Sequence, residues 1–72
     1  MKKEKVVTRL KFYRTSVNHM TQQELADQVG ISRQSINAIE KGKFLPSIES
    51  SLKLARFFGI AVEKLFYLET EE

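Results

Sequence analysis

Between Gln22 and Lys41 the apolar or small residues fall at Leu25, Ala26, Val29, Ile31, Ile36 and Ile39. That spacing gives each of two short helices one buried stripe. Gly30 sits between them, where the chain must turn sharply, and the small Ala26 lets the helices approach closely. Thr21 is followed three residues later by Glu24, the pattern of a capping box. Ser32 stands as N-cap to the run from Arg33 to Lys41, and Gly42 supplies a stop. Residues 21–42 therefore predict a helix, a three-residue corner and a second helix, the helix-turn-helix arrangement.

The flanking pattern predicts scaffold, so that the whole reads as an all-α fold of five helices. Thr8 to Val17 predicts a first helix with Leu10, Tyr13, Arg14 and Val17 on one face and Arg9, Lys11 and Thr15 toward solvent. Pro46 and Ser47 mark a loop and a cap. Ile48 to Phe58 then places Ile48, Leu52, Leu54, Ala55 and Phe58 at helical spacing, ending at Gly59. A short last helix runs from Val62 to about Phe66, with Leu65 and Phe66 plugging the core. The aromatic residues Phe57, Phe58, Phe66 and Tyr67 read as core or interface.

The two chain ends add a β-prone element each. Lys5, Val6 and Val7 precede the first helix, and Phe66, Tyr67 and Leu68 follow the last. Antiparallel pairing would set Lys2, Lys3 and Lys5 near Glu69, Glu71 and Glu72, and such exposed pairs contribute only about 0–1 kcal/mol each. A frayed tail is the alternative, because a lone two-stranded ribbon is marginal unless it packs against helices or another copy.

The outward face of the second motif helix holds the candidate chemistry: Arg33, Gln34 and Ser35 on its first turn, then Asn37 and Lys41. It is rich in amides and not in the Glu/Lys pairs of an ordinary solvated face. Arg can donate two hydrogen bonds to guanine O6 and N7, and Gln or Asn can pair in the same bidentate way with adenine. The first residues of the second helix are the ones this motif points into the major groove.

At these residues the chain resembles the Cro/C1-type (XRE-like) helix-turn-helix family of phage and bacterial repressors. The resemblance spans Met20 to Phe66 together with RLKFYR at Arg9 to Arg14. It is carried by T-Q-x-E-L-A at Thr21 to Ala26, S-R-Q-S-I at Ser32 to Ile36, I-E-K-G-K at Ile39 to Lys43, and Pro46-Ser47. It implies a lambda-repressor-like DNA-binding domain over residues 1–72, most similar to the small free-standing homodimeric repressors whose termini add a short β-sheet. By that similarity Arg33, Gln34, Ser35 and Asn37 would face bases. Gln22 and Gln23, at the start of the first motif helix, would meet phosphate, and Lys41 and Lys43 would grip the backbone after the second. Arg14 and Glu40 would form a mostly buried, structural ion pair.

Composition narrows the alternatives. Seventy-two residues make a chain that buries only about 60% of its unfolded surface, so its core is marginal alone. There is no Cys, hence no disulfide, thiolate metal site or thiol redox chemistry. His19, the single histidine, falls in a predicted loop without clustered carboxylates, so no metal or other cofactor is predicted. The acids are scattered, Ser32 is explained by capping, and Gly30, Gly42 and Gly59 each end a helix and form no phosphate loop, which argues against an enzyme. No apolar run approaches a membrane span and the start MKKEK leads into no signal-peptide core, so a cytoplasmic protein is predicted.

The net charge is +3, but its distribution is more instructive. Met1 to His19 holds six basic and one acidic side chains, Met20 to Phe44 three of each, and Leu45 to Glu72 three basic and five acidic. The motif itself is neutral, which predicts moderate, salt-dependent binding to double-stranded DNA and not an indiscriminate polycation.

One recognition helix offers about three base-reading side chains, each discriminating by roughly 1–3 kcal/mol, too little against genomic competition. Two copies would read an inverted repeat from successive major grooves. The predicted dimer interface is the apolar surface after Gly59: Ile60, Val62, Leu65, Phe66 and Leu68. The first functional expectation is a homodimeric, sequence-specific repressor, with no small-molecule ligand and with regulation through concentration, a partner protein or disassembly. The second is an antitoxin-like module that binds and neutralises a partner protein.

Overall fold

The computed structural model describes residues 3–71. Strand β1 (Lys3–Thr8) leads into α1 (Leu10–Phe12), which continues as a π-helical turn, Tyr13–Val17. Helices α2 (Gln22–Val29), α3 (Arg33–Glu40), α4 (Ile48–Phe58) and α5 (Val62–Leu65) follow, and β2 (Phe66–Glu71) closes the chain. Among the described residues five helices and a two-stranded antiparallel sheet make a small helical domain, in which the two chain ends pair as a ribbon instead of fraying.

The ribbon pairs Lys5 with Glu69, Val6 with Leu68, Val7 with Tyr67 and Thr8 with Phe66. Lys3 stands opposite Glu71. Lys2 and Glu72, expected in the same charge pairing, lie outside the described residues. Because Thr8 belongs to the strand, the first helix starts at Leu10, two residues later than its apolar spacing predicts. Thr8 Oγ1 accepts the Leu10 N–H at 3.2 Å, and the Arg9 N–H donates to the Leu65 carbonyl at 2.8 Å, tying the helical body to the ribbon.

Leu10, Leu25, Ile36, Ile39, Leu54 and Leu65 are the fully buried side chains, and Ala26, Val29 and Ala55 complete the core. Every helix contributes to this one cluster. Two apolar expectations fail. Val17 is exposed, because the i→i+5 bond from the Asn18 N–H to the Tyr13 carbonyl widens the turn and rotates Val17 off the face shared by Leu10 and Arg14. Ile48 and Leu52 are 80% and 56% exposed. The core-facing side of α4 centres on Leu54, Ala55 and Phe58, and at about 100° per residue Ile48 and Leu52 fall to one flank.

Phe66 also departs from the predicted last helix. Its backbone is extended, φ −133° and ψ 130°, so α5 ends at Leu65. Phe66 still packs against the core from the first position of β2.

Candidate nucleic-acid interface

The motif is built from local hydrogen bonding. Thr21 Oγ1 accepts the Glu24 N–H at 3.0 Å while Glu24 Oε1 accepts the Thr21 N–H at 2.8 Å, a reciprocal cap on α2. Hydrogen bonding to Thr21, through its backbone N–H first and then its side chain, holds the Glu24 carboxyl below its ordinary value. At the corner Gly30 adopts φ 72° and ψ 32°, a left-handed conformation that glycine takes without a Cβ clash. The Gly30 and Ile31 N–H groups both return to the Ala26 carbonyl, at 2.9 and 3.2 Å. Ser32 then caps α3 through its hydroxyl, which accepts the Ser35 N–H at 3.1 Å.

The side chains on the polar face divide into free and engaged. Arg33 and Gln34 are exposed on the first turn of α3, and neither has a hydrogen-bond or ion-pair partner among the described residues. Ser35 is half-buried, and its Oγ accepts the Ser32 hydroxyl at 2.9 Å. Asn37 is half-buried too, with Oδ1 accepting from Gln22 Nε2 at 3.2 Å. Lys41 and Lys43 are exposed just past α3. On α2 the first residue, Gln22, is half-buried against α3, whereas Gln23 is exposed and donates to Asp27 at 2.9 Å.

An ion pair fixes the angle of this face. Arg14 donates from Nε to Glu40 Oε2 at 2.6 Å, from Nη2 to Glu40 Oε1 at 2.9 Å, and from Nη1 to the Met20 carbonyl at 2.7 Å. Both side chains are nearly buried, and Gln22 Nε2 adds a bond to Glu40 Oε1 at 3.1 Å. The hydrogen bonds to Glu40 raise the Arg14 guanidinium above its ordinary value against the opposing effect of burial. One carboxylate at the end of α3 thus joins that helix to the first helix and to the start of α2.

Two residues beside this face carried no assignment from the sequence. Ser32, Gln34, Ser35, Ala38 and Phe44 line an open depression of about 200 Å³ on the outer side of α3. Ala38 follows Gln34 by four residues and so shares its face, a signal present in the helical period. Phe44 lies beyond Gly42, where the chain turns in a left-handed conformation (φ 72°), so the helical period of α3 does not reach it. Of the residues assigned to an interface, Ile60, Val62 and Phe66 are half-buried and Leu68 is 63% exposed. Leu65 is 0% exposed, which corrects its place in that set: it is wholly consumed by the core of its own chain.

Among the described residues no group of three or more His, Cys, Asp or Glu could hold a metal ion, and no helix is long and apolar enough to cross a membrane. The family model for helix-turn-helix proteins matches residues 10–65, from the first helix to the end of α5. The chain belongs to the Cro/C1-type helix-turn-helix family. Membership makes it a transcriptional regulator with a DNA-binding domain, in a family of non-enzymes.

Three relatives within or carrying this helix-turn-helix domain show the range. An uncharacterized HTH-type transcriptional regulator of Methanocaldococcus jannaschii is 47% identical over 64 residues, covering 89% of this chain and 96% of its own. The HTH-type transcriptional activator BcrR of Enterococcus faecalis is 37% identical over 57 residues, 79% of this chain and 28% of its own. The cryptic phage CTXphi transcriptional repressor RstR of Vibrio cholerae is 36% identical over 61 residues, 85% of this chain and 54% of its own.

Proposed function

We propose that the protein is a homodimeric, cytoplasmic repressor that binds an inverted-repeat operator and excludes other proteins from the promoter. The observation that carries this reading is the free polar ridge of Arg33 and Gln34 at the N-terminal end of α3, held outward by the buried Arg14–Glu40 pair. Arg33 and Gln34 read base edges, with Ser35 and Asn37 behind them, each already accepting one hydrogen bond within the fold. Gln22, Gln23, Lys41 and Lys43 meet phosphates on either side. Repression by occupancy needs only this binding. Similarity to a named phage repressor supports it, whereas the named activator has most of its length outside the match.

A second copy supports sequence reading by placing recognition helices in grooves about 34–36 Å apart. The apolar side chains it would cover are Ile60, Val62, Phe66 and Leu68, together with Ile48 and Leu52 on the flank of α4. Of these, Leu68, Ile48 and Leu52 are largely exposed, and covering exposed apolar side chains favours association.

Selection of bound duplexes from a random DNA pool tests the reading. A palindromic consensus with half-sites one helical turn apart is expected. An absence of sequence preference, or a stable complex with a different protein combined with weak DNA binding, would overturn it in favour of a protein-neutralising module.

A further inference from the structure

The depression on the outer side of α3 has an apolar component that no hydrogen-bonding role uses. Ala38 and Phe44 supply it, beside Gln34 and Ser35, and no charged side chain lines it. Phe44 keeps 48% of its surface exposed. A ring left this open to water gains by being covered. Its neighbour Gln34 is on the ridge assigned to base edges, which makes the major-groove edge of a base pair the candidate cover for the ring. Only one apolar group projects from the base edges there, the C5 methyl of thymine, and Ala and Phe are side chains that contact it.

We propose that Ala38 and Phe44 form a thymine-methyl subsite, occupied by one thymine in each half-site, while Gln34 beside it hydrogen-bonds in the same groove. The inference rests on the DNA-reading role of α3 and adds the chemical group that this part of its surface recognises. The subsite gives a neutral motif a way to discriminate that adds no charge. It therefore contributes specificity without steepening the salt dependence.

The test replaces thymine by uracil, one position at a time, in the duplex obtained from the random pool. At one position per half-site the loss of the methyl should weaken binding about fourfold, the factor for about 0.8 kcal/mol per buried CH₂, and about fifteenfold when both half-sites are changed. Phe44→Ala should bring the thymine duplex down to the uracil level and show no further loss on replacement. Ala38→Ser, with circular dichroism melting to verify the fold, should halve the discrimination or more. If every uracil duplex binds like its parent while binding stays sequence-specific, the subsite is refuted and the DNA-reading role stands. A uracil effect undiminished in both variants places the methyl elsewhere and also refutes it. A pool that yields no preferred sequence removes both the role and the subsite.

Discussion

Arg14 and Glu40 stand 26 residues apart in the chain, yet Arg14 Nε lies 2.6 Å from Glu40 Oε2 and Nη2 lies 2.9 Å from Oε1. This fork-to-carboxylate contact spans the first helix and the last residue of α3. Removing one partner leaves a nearly buried charge uncompensated, so Arg14→Ala should cost on the order of 3–5 kcal/mol. In a domain this small that lowers the melting midpoint by more than about 10 °C. Arg14→Lys should recover little, because an ammonium cannot reproduce the fork. The double change Arg14→Met with Glu40→Leu should restore much of the loss. Calorimetric melts decide it, and a thermally neutral Arg14→Ala would mean that the pair holds nothing in place.

Arg33 and Lys43 are both exposed cations but should fail differently. Arg33→Ala is expected to relax preference at one base position in each half-site, with a loss of about 1–3 kcal/mol on the best sequence only. Lys43→Ala should weaken all duplexes alike and reduce the salt slope by about one. Fluorescence titrations over a salt series and a panel of operator variants separate the two, and identical profiles would refute the division into base and phosphate contacts.

Glu24 should leave a mark on the acid side of the stability curve. Its carboxyl is held below the ordinary 4.5 by the Thr21 hydrogen bonds. A depressed folded value contributes stability that is fully present above the unfolded value and is lost as pH falls through the folded one. Glu24→Gln keeps an acceptor for the Thr21 N–H but removes the titration. Melting midpoints of the variant should therefore fall less steeply below pH 4.5 than those of the parent. Parallel curves would show that the cap carries no proton linkage.

Leu65 and Leu68 are three residues apart and should behave as opposites. Leu65 is fully buried, so Leu65→Ala should cost about 2–5 kcal/mol of folding stability. Leu68→Ser and Ile48→Ser change exposed positions and should leave the secondary structure intact while raising the monomer fraction in sedimentation velocity. If neither of the two alters the association state, the two-fold surface proposed here is in the wrong place.

The motif was legible along the chain because its determinants are local. The Thr21–Glu24 cap, the Gly30 corner and the Ser32 cap each satisfy backbone groups within five residues, and backbone bonds of that reach are dictated by neighbouring residue types. The alternating ends were legible for the same reason, since a period of two needs only a partner strand. The Val6–Leu68 register also required the helical body to bring both ends together.

Coverage was not legible in this way. Helical spacing marks Ile48, Leu52, Leu54 and Ala55 alike, but which of them is buried depends on elements far along the chain, and the fold covers only Leu54 and Ala55. It also consumes Leu65, rotates Val17 outward through a widened turn, and returns Phe44 to the side of Gln34. From its sequence alone this protein determined the caps and the corner of its two motif helices and which residue types the second of them offers. The tertiary structure decided which apolar groups remain for a partner and which polar groups stay free for DNA, because burial is a relation between distant segments whereas capping and periodicity are properties of one.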